Sequence, residues 1–288
     1  MHGAGAEVVV TSQPERAEVL LIESWLHGRT AHTLRAYQAD LRRFRSVCTK
    51  PLGAVTLSDL QAFADSLGGL SAASRYRTLS GIKSLFAFGF RVGYLRFDPG
   101  RVLRLPPVRN RLSERILPEE QVRCLIAREP AERNRVILKL LYASGMRVSE
   151  VCALQIRDLL ASGDCGRVTV FGKGGVTRVI HLQPEIWEPL SALTRERPPD
   201  DAVFCSRKTG FGLRPGAVRT IVKHASERAG ISQPVSPHWL RHAHASHALD
   251  HGAPIHLVQA TLGHASLATT GRYAHARPKE SSGRYLQL

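Results

Sequence analysis

The sequence predicts a mainly α-helical protein of two domains, with one small β-sheet in the second. A chain of 288 residues is longer than one small hydrophobic core can stabilise, and a hydrophobic content of 43% is enough for two cores. Apolar residues recur at three- and four-residue spacing along most of the chain, which is the period of helices packed on one face. Residues 167–182 instead alternate around Gly172-Lys173-Gly174-Gly175, which predicts a β-hairpin.

The first domain is predicted over residues 14–105 as four helices. Periodic stretches mark them at 14–27, after Thr30, at 57–67 and at 71–93. The second stretch has one apolar stripe, formed by Leu34, Tyr37, Leu41 and Phe44. Its arginines lie largely off that stripe, so one face of the helix can pack while the other meets anionic groups. An ordinary solvated face is the alternative for each arginine taken singly.

The second domain is predicted over residues 118–288, after a linker at 106–117. The linker is rich in proline and arginine and has little periodicity, which predicts an extended segment. Helices are expected from about 118, through 137–144, and at 148–154, 184–197, 215–229, 237–251 and 254–262. Gly145 follows the second of these and is predicted to end it in the left-handed conformation.

The charge of the chain points to an anionic partner. The formal net charge is +16 and the isoelectric point is near 10.4. Residues 14–105 carry 14 basic and 7 acidic side chains, and residues 112–288 carry 24 and 16. Because both parts are basic, a polyanion held by both domains is favoured over one basic tail, with a merely basic enzyme as the alternative.

The cysteines and the apolar runs indicate a cytoplasmic protein. Five cysteines, an odd number without a C-x-x-C pair, indicate neither a disulfide framework nor a cysteine zinc site. No basic-then-apolar leader opens the sequence, and no apolar run reaches the roughly 18 residues that span a bilayer. We therefore expect reduced thiols, a cytoplasmic location and no membrane partner.

Six residues form a constellation suited to phosphate chemistry. They are Arg147, Lys173, His238, Arg241, His264 and Tyr273. Guanidinium groups bind the charged oxygens of a phosphoryl transition state bidentately, which is the role predicted for Arg147 and Arg241. The sequence shows no clustered Asp and Glu to hold a divalent metal in their place, so we predict neither metal nor nucleotide cofactor. A structural ion pair with Glu150 is the alternative for Arg147; otherwise Glu150 orients Arg147 or His238.

The remaining members of the set have distinct predicted roles. The Tyr273 phenol is the candidate nucleophile, because a phosphotyrosyl ester stores the bond energy for rejoining. Lys173 in its glycine-rich turn is the candidate general acid for the leaving oxygen. His238 is expected to act as general base on the tyrosine or to hold a phosphate oxygen, and His264 to donate to the phosphate. The plain alternatives are an exposed turn lysine, a packing or surface tyrosine and core histidines.

These motifs resemble those of the tyrosine recombinase, or phage integrase, superfamily. The matching segments are Gly145-x-Arg147-x-Ser149-Glu150, Gly172-Lys173-Gly174, His238-x-Leu240-Arg241-His242 and Leu262-Gly263-His264 with Tyr273 nine residues on. The resemblance implies an N-terminal four-helix SAM-like core-binding domain that clamps DNA, and a C-terminal DNA breaking-rejoining fold. In that setting the first-domain residues expected to bind DNA are Arg35, Arg42, Arg43, Arg45, Arg75 and Arg77. His244 and Ala248 stand where the family more often has bulky apolar residues.

The resemblance implies a site-specific recombinase acting on double-stranded DNA through a 3′-phosphotyrosyl intermediate. Its partners would be two DNA sites held by a tetramer, which can include a paralogous recombinase. The chain looks closest to Xer-type enzymes that resolve chromosome dimers. Alternatives are a phage or mobile-element integrase, a type IB topoisomerase and a non-catalytic DNA-binding clamp. Zinc binding by the histidines between His238 and His251 is a further, weaker alternative, because no Cys, Asp or Glu completes a tetrahedral set.

Overall fold

The computed structural model describes residues 13–109, 111–172, 175 and 177–274. The chain divides into two compact units, residues 1–109 and 110–288. Most described residues lie in helices, and one three-stranded sheet lies in the second unit. The predicted fold class, mainly helical with a small sheet, is therefore confirmed.

The first unit contains the four predicted helices. They are α1 (Gln13–Leu26), α2 (Ala31–Arg45), α3 (Leu57–Ser66) and α4 (Ala72–Arg91). Side-chain caps begin three of them, because Thr30, Thr56 and Ser71 each accept a hydrogen bond from the backbone amide three residues on. Such caps satisfy amides that have no partner inside the helix.

Aromatic side chains fill the core of the first unit. Phe44 of α2 meets Phe63 of α3 and Phe86 of α4 edge-on, with ring centroids 5.2 and 5.9 Å apart. Trp25 of α1 stacks on Tyr37 of α2 at 4.6 Å. Because each contact joins different helices, the apolar stripe read from the sequence is the surface that holds this bundle together.

The second unit has eight helices and three strands in its described part. The helices are α5 (Glu119–Ala127), α6 (Glu132–Ser144), α7 (Val148–Ala153), α8 (Pro184–Thr194), α9 (Pro215–Arg228), α10 (Pro237–Asp250), α11 (Ile255–Leu262) and α12 (Leu267–Ala274). The strands are β1 (Leu159–Ser162), β2 (Cys165–Phe171) and β3 (Thr177–Leu182), antiparallel in the order β1-β2-β3. The predicted hairpin is β2 and β3, with Val168 opposite Ile180.

Helix α6 lies at the centre of the second unit. Five of its apolar residues, Val136, Ile137, Leu138, Leu140 and Leu141, are buried, and α8, α10 and β3 pack against it. It ends at Gly145, whose φ of 60° is left-handed, as predicted. This glycine lets the chain reverse at once, so Arg147 becomes the N-cap residue directly before α7.

Three elements differ from the sequence prediction. Strand β1 and helix α12 were not expected, and residues 113–115 form a short 3-10 turn rather than extended chain. Leu112 and Ile116 flank that turn and pack with α10, α11 and Tyr273. Their burial explains the turn, because it directs both apolar side chains to the same side. Within the residues described, no helix combines the length and apolar character needed to cross a bilayer.

Replacement of Gly145 by Ala is expected to destabilise the second unit strongly. A Cβ there would lie 2.7 Å from both His244 Cδ2 and Leu262 Cδ2, and the left-handed backbone adds about 1–3 kcal/mol of strain. The measurement is the free energy of unfolding in urea. Gly163→Ala is the matched control, because Gly163 has the same φ of 60° and no atom within 4 Å of its added Cβ. Equal losses in the two variants would show that the contacts around Gly145 relax freely.

Candidate active site

Arg241 forms hydrogen bonds with the C-terminal ends of two helices. It extends from α10 and is only 4% exposed. Its Nη1 donates to the carbonyl oxygen of Gly145 at the end of α6, and its Nη2 donates to that of Leu262 at the end of α11, 2.7 Å away. Carbonyl groups at helix ends lack partners within the helix and carry partial negative charge, so they suit a buried guanidinium.

A second cluster joins Arg147, Glu150 and Arg178. Glu150 accepts from Arg147 Nη1 at 2.9 Å and from the Arg147 backbone amide at 2.7 Å. It also accepts two hydrogen bonds from Arg178, at 3.1 and 2.8 Å, in a bidentate pair that is almost fully buried. Arg178 Nε donates in turn to the Thr261 carbonyl oxygen at 2.7 Å. The Glu150 carboxylate therefore links the start of α7 to strand β3, and Arg178 extends this link to helix α11.

The charges of these groups influence one another. Burial acts to raise the pKa of Glu150, but hydrogen bonds from Arg178 and Arg147 outweigh burial and hold that pKa below its ordinary value. Burial, with the neighbouring charge of Arg147, lowers the pKa of Arg241 to about 10. Two guanidinium groups share Glu150 while Arg241 donates to neutral carbonyls, so the cluster keeps an excess of positive charge. Such an excess of positive charge favours the binding of an anion.

Tyr273 of α12 lies between two imidazole rings. Its Oη is 2.8 Å from His242 Nδ1, and its ring stacks on His264 with centroids 6.3 Å apart and an angle of 6° between the planes. His264 is fixed by a 2.9 Å hydrogen bond between its Nδ1 and Thr270 Oγ1. Burial raises the pKa of Tyr273, against the opposing effect of Arg241 and Arg272, so the phenol is protonated near neutral pH.

His238 lies on the other side of His242. The two rings are 6.3 Å apart, and both line a cavity of about 430 Å³ together with Arg115, Ser236 and Trp239. Burial, followed by the charges of Arg241 and Arg147, lowers the pKa of His238. A neutral imidazole results, one able either to accept or to donate a proton.

A second cavity brings Arg147 and His264 together with the β2–β3 turn. It has a volume of about 440 Å³, and Arg147, Gly172, Arg178, Gly263 and His264 are among the residues that line it. Gly172 directly precedes Lys173, which lies outside the described residues. Of the six predicted site residues, the structure therefore places five, and the positions of Arg147, Arg241, His238, His264 and Tyr273 form one continuous region of the second unit.

The first-unit arginines divide into two groups. Arg35, Arg42 and Arg43 are exposed on α2, and Arg75 is partly buried on α4. Arg77 instead forms a bidentate pair with the buried Asp40, at 2.6 Å to each oxygen, and Arg45 pairs with Glu18 and with the Lys50 carbonyl. These two side chains hold helices of their own unit together, which the helical stripe alone did not indicate.

Two residues of the site were not singled out from the sequence. The alternation that predicts the hairpin does not distinguish Arg178 from the other residues of β3. Arg178 shares the inward face of β3 with Ile180 and Leu182, and a buried arginine there requires a partner. His242 belongs to a motif and to the histidines weighed for zinc, but neither pattern places it beside the phenol. Its position directly after Arg241 turns it by about 100° around α10 and so towards a different helix.

The other histidines in and directly after α10 contact residues outside this site. His244 Nδ1 is 2.8 Å from the Tyr142 carbonyl oxygen, His247 Nδ1 is 3.0 Å from Tyr142 Oη, and His251 pairs with Glu119. Within the described ranges, no group of three or more His, Cys, Asp or Glu side chains is arranged to hold a metal ion. The histidine-rich stretch thus serves packing as well as the site.

Acid is expected to destabilise the second unit through these imidazoles. Burial first, and nearby arginines for His242 and His264, lower the pKa of His242, His244 and His264 to about 4. A histidine pKa depressed by folding contributes stability above its unfolded value of about 6.5, and that stability is lost as the pH falls towards the folded value. Urea unfolding should therefore show a falling free energy of unfolding between pH 7 and pH 4. An unchanged free energy of unfolding over that range would contradict the buried neutral histidines.

Comparisons with known proteins agree with this arrangement. Residues 115–280 match the phage integrase family, and residues 24–93 match the phage integrase N-terminal SAM-like domain. Tyrosine recombinase XerC of Pseudomonas syringae pv. syringae (strain B728a) is 36% identical over 260 residues, 85% of this chain and 85% of that protein. Tyrosine recombinase XerC of Xanthomonas campestris pv. campestris (strain B100) is 33% identical over 284 residues, 95% of this chain and 86% of that protein.

Solved structures share the fold at lower sequence identity. XerH site-specific recombinase bound to difH substrate has a TM-score of 0.72 and 22% identity, over 93% of this chain and 82% of that one. A lambda integrase dimer bound to a COC′ core site has a TM-score of 0.73 and 20% identity, over 93% and 77%. The chain belongs to the phage integrase family, and its enzyme class is that of the site-specific tyrosine recombinases.

Proposed function

We propose that this protein is an Xer-type recombinase that cuts and rejoins DNA at specific sites through a 3′-phosphotyrosyl intermediate. One observation supports it most. The phenol of Tyr273 lies beside His264 in a region where Arg147, Arg178 and Arg241 maintain an excess of positive charge. A nucleophile next to charge suited to a phosphate is the minimum that this chemistry needs.

The proposed roles follow from these contacts. Arg147 and Arg241 hold the non-bridging oxygens of the scissile phosphate, while Glu150 positions Arg147 through its side chain and its backbone amide. Tyr273 attacks phosphorus, His264 donates to a phosphate oxygen, and His238 contacts the phosphate from the adjoining cavity. Lys173 protonates the leaving 5′ oxygen. No nucleotide takes part, because the ester conserves the energy of the broken bond. No metal takes part, because the two arginines stabilise the transition-state charge.

The proposed substrate is double-stranded DNA at two sites held by a tetramer. In the first unit, four arginines contact the DNA backbone: Arg35, Arg42, Arg43 and Arg75. Arg45 and Arg77 chiefly stabilise the unit, through their ion pairs with Glu18 and Asp40. Solved relatives include a lambda integrase tetramer bound to a Holliday junction, which supports this assembly. The XerC relatives are 33–36% identical to this chain, against 20% for lambda integrase, which favours chromosome-dimer resolution, with a paralogous partner, over phage or mobile-element integration.

Capture of a covalent adduct tests the proposal without knowledge of the target sequence. The purified protein is incubated with a pool of nicked duplexes of randomised sequence, and denaturant then removes all DNA that is not covalently attached. Attached duplexes are recovered and sequenced. We expect enrichment of one sequence with inverted symmetry, since a recombinase binds paired half-sites. A type IB topoisomerase would give adducts without such symmetry, and a non-catalytic clamp would give none.

Lys173→Ala is expected to slow cleavage of the selected duplex about 100-fold or more, because a general acid contributes roughly 10²–10⁴ to the rate. A 5′-bridging phosphorothiolate at the scissile position should restore much of that rate, because sulfur leaves without protonation. Adduct formation is measured over time with both substrates. Lys208→Ala is the matched control, since Lys208 is an exposed lysine of another loop, and it should cleave both substrates like the unmodified protein. Failure of the phosphorothiolate to rescue Lys173→Ala would place Lys173 in phosphate binding instead.

A further inference from the structure

The hydrogen bond to the Tyr273 phenol involves His242, although the sequence pattern pointed to His238. His242 Nδ1 lies 2.8 Å from Tyr273 Oη, with the ring centroids 5.6 Å apart. Both residues are partly or fully buried, and α10 packs directly against α12 at this point. The contact therefore belongs to the packed interface of the two helices, on the atom that would attack phosphorus.

The protonation states of the two rings allow the phenol to donate this hydrogen bond. Burial first, then the charges of His238, Arg115, Arg241 and Arg272, lowers the pKa of His242 to about 4, so the imidazole is neutral. The phenol is protonated, because burial raises its pKa. A neutral imidazole with its hydrogen on Nε2 accepts at Nδ1, which lets the phenol donate. His242 also lines the cavity of about 430 Å³, so its ring connects the phenol to a space that water can enter.

The groups around His242 also explain when it can take a proton. On α10 they are His238 and Arg241, on the 3-10 turn Arg115, and on α12 Arg272 and Tyr273. Its cationic neighbours are Arg115, Arg241 and Arg272, which disfavour an imidazolium. A DNA phosphate held by Arg241 would offset part of that charge, and the transition state carries more negative charge still. The proton affinity of His242 would therefore rise when DNA is bound.

We propose that His242 accepts the phenolic proton of Tyr273 during cleavage and returns it during rejoining. This rests on the proposed function. As the Oη–P bond forms, the Oη–H bond breaks and its proton passes to His242 Nδ1. The P–O5′ bond breaks in the same step, and the 5′ oxygen takes a proton from Lys173. Rejoining reverses every transfer, so no other reactant is needed. His238 is then left to contact the phosphate.

Two variants at position 242 separate a proton acceptor from a simple anchor. In His242→Asn the amide can occupy the place of Nδ1 and hold the phenol, but it cannot take a proton. In His242→Gln the amide reaches towards the place of Nε2. We expect both to form adduct roughly 100-fold more slowly at neutral pH, within the range of general-base contributions. His251→Asn is the matched control, because His251 directly follows the same helix and pairs with Glu119, and it should cleave normally.

The pH profile of His242→Asn decides the question. Without an acceptor, the rate depends on the small fraction of Tyr273 already ionised, so it should rise about tenfold per pH unit below the phenol pKa. The unmodified protein should show a shallower rise. Normal cleavage by His242→Asn, or a slow rate with a profile parallel to the unmodified protein, overturns the proposal and leaves His242 as an anchor.

Two further results separate this inference from the proposed function. Adduct formation by the unmodified protein tests the function itself and does not depend on His242. A 5′-bridging phosphorothiolate should fail to rescue His242→Asn, because it replaces the proton given to the leaving group and not the one taken from the nucleophile. Rescue of His242→Asn would overturn the acceptor role. Urea unfolding and single-site DNA binding establish that both variants are folded.

Discussion

Tyr273→Phe is expected to leave no covalent adduct with the selected nicked duplex, while binding of that duplex persists. The variant removes only the phenolic oxygen, so the stacked contact with His264 is retained. Without Oη no phosphotyrosyl ester can form, and the loss should reach the detection limit of a denaturing gel. His242 loses its partner, but its exposure to the adjoining cavity gives water access to the ring.

Tyr142→Phe provides a matched control in the same unit. The Tyr142 phenol also contacts an imidazole, since its Oη is 3.0 Å from His247 Nδ1. Burial is the main cause that raises the pKa of both phenols, although their charged neighbours differ: Glu119 and Arg123 for Tyr142, Arg241 and Arg272 for Tyr273. Tyr142→Phe should therefore form adduct normally. Persistent adduct in Tyr273→Phe would assign the nucleophile to another residue, which peptide mapping of the adduct would identify.

The helices could be predicted from the sequence because their signals are local. The stripe through Phe44 and the glycine at 145 depend only on helical period and backbone conformation, and the structure places both as expected. Strand β1 could not be predicted in the same way. Its four residues show no clear alternation, and it forms because β2 offers an edge to pair with.

The site could be predicted only in part because its contacts are long-range. Arg178 meets Glu150 from 28 positions away and Thr261 from 83, and His242 meets Tyr273 from 31. No local pattern encodes such pairs, since they depend on how α7, α10, α11, α12 and β3 pack. The motif pointed to Arg241 and Tyr273, but the hydrogen-bond partner of the phenol became visible only from the packing of α10 on α12.

Arg241→Ala is expected to reduce cleavage by at least about 10²–10³, the cost of removing one preorganised donor to transition-state charge. The variant also leaves the Gly145 and Leu262 carbonyls without their donor, so the free energy of unfolding should fall. Arg241→Lys should recover little cleavage, because one ammonium cannot donate to two helix ends and also meet a phosphate bidentately.

Loss of chemistry and loss of stability can be separated by a second arginine. Arg228, the last residue of α9, pairs with the buried Glu129 and takes no part in the contacts of Tyr273. Arg228→Ala should therefore lose stability yet cleave normally once folded. A 5′-bridging phosphorothiolate should fail to restore Arg241→Ala, in contrast to Lys173→Ala, because the charge on the non-bridging oxygens still lacks its partner. If Arg241→Ala instead lost stability but cleaved normally, like Arg228→Ala, the role of Arg241 would be structural, linking α6 to α11. Arg147 would then bind the phosphate without Arg241.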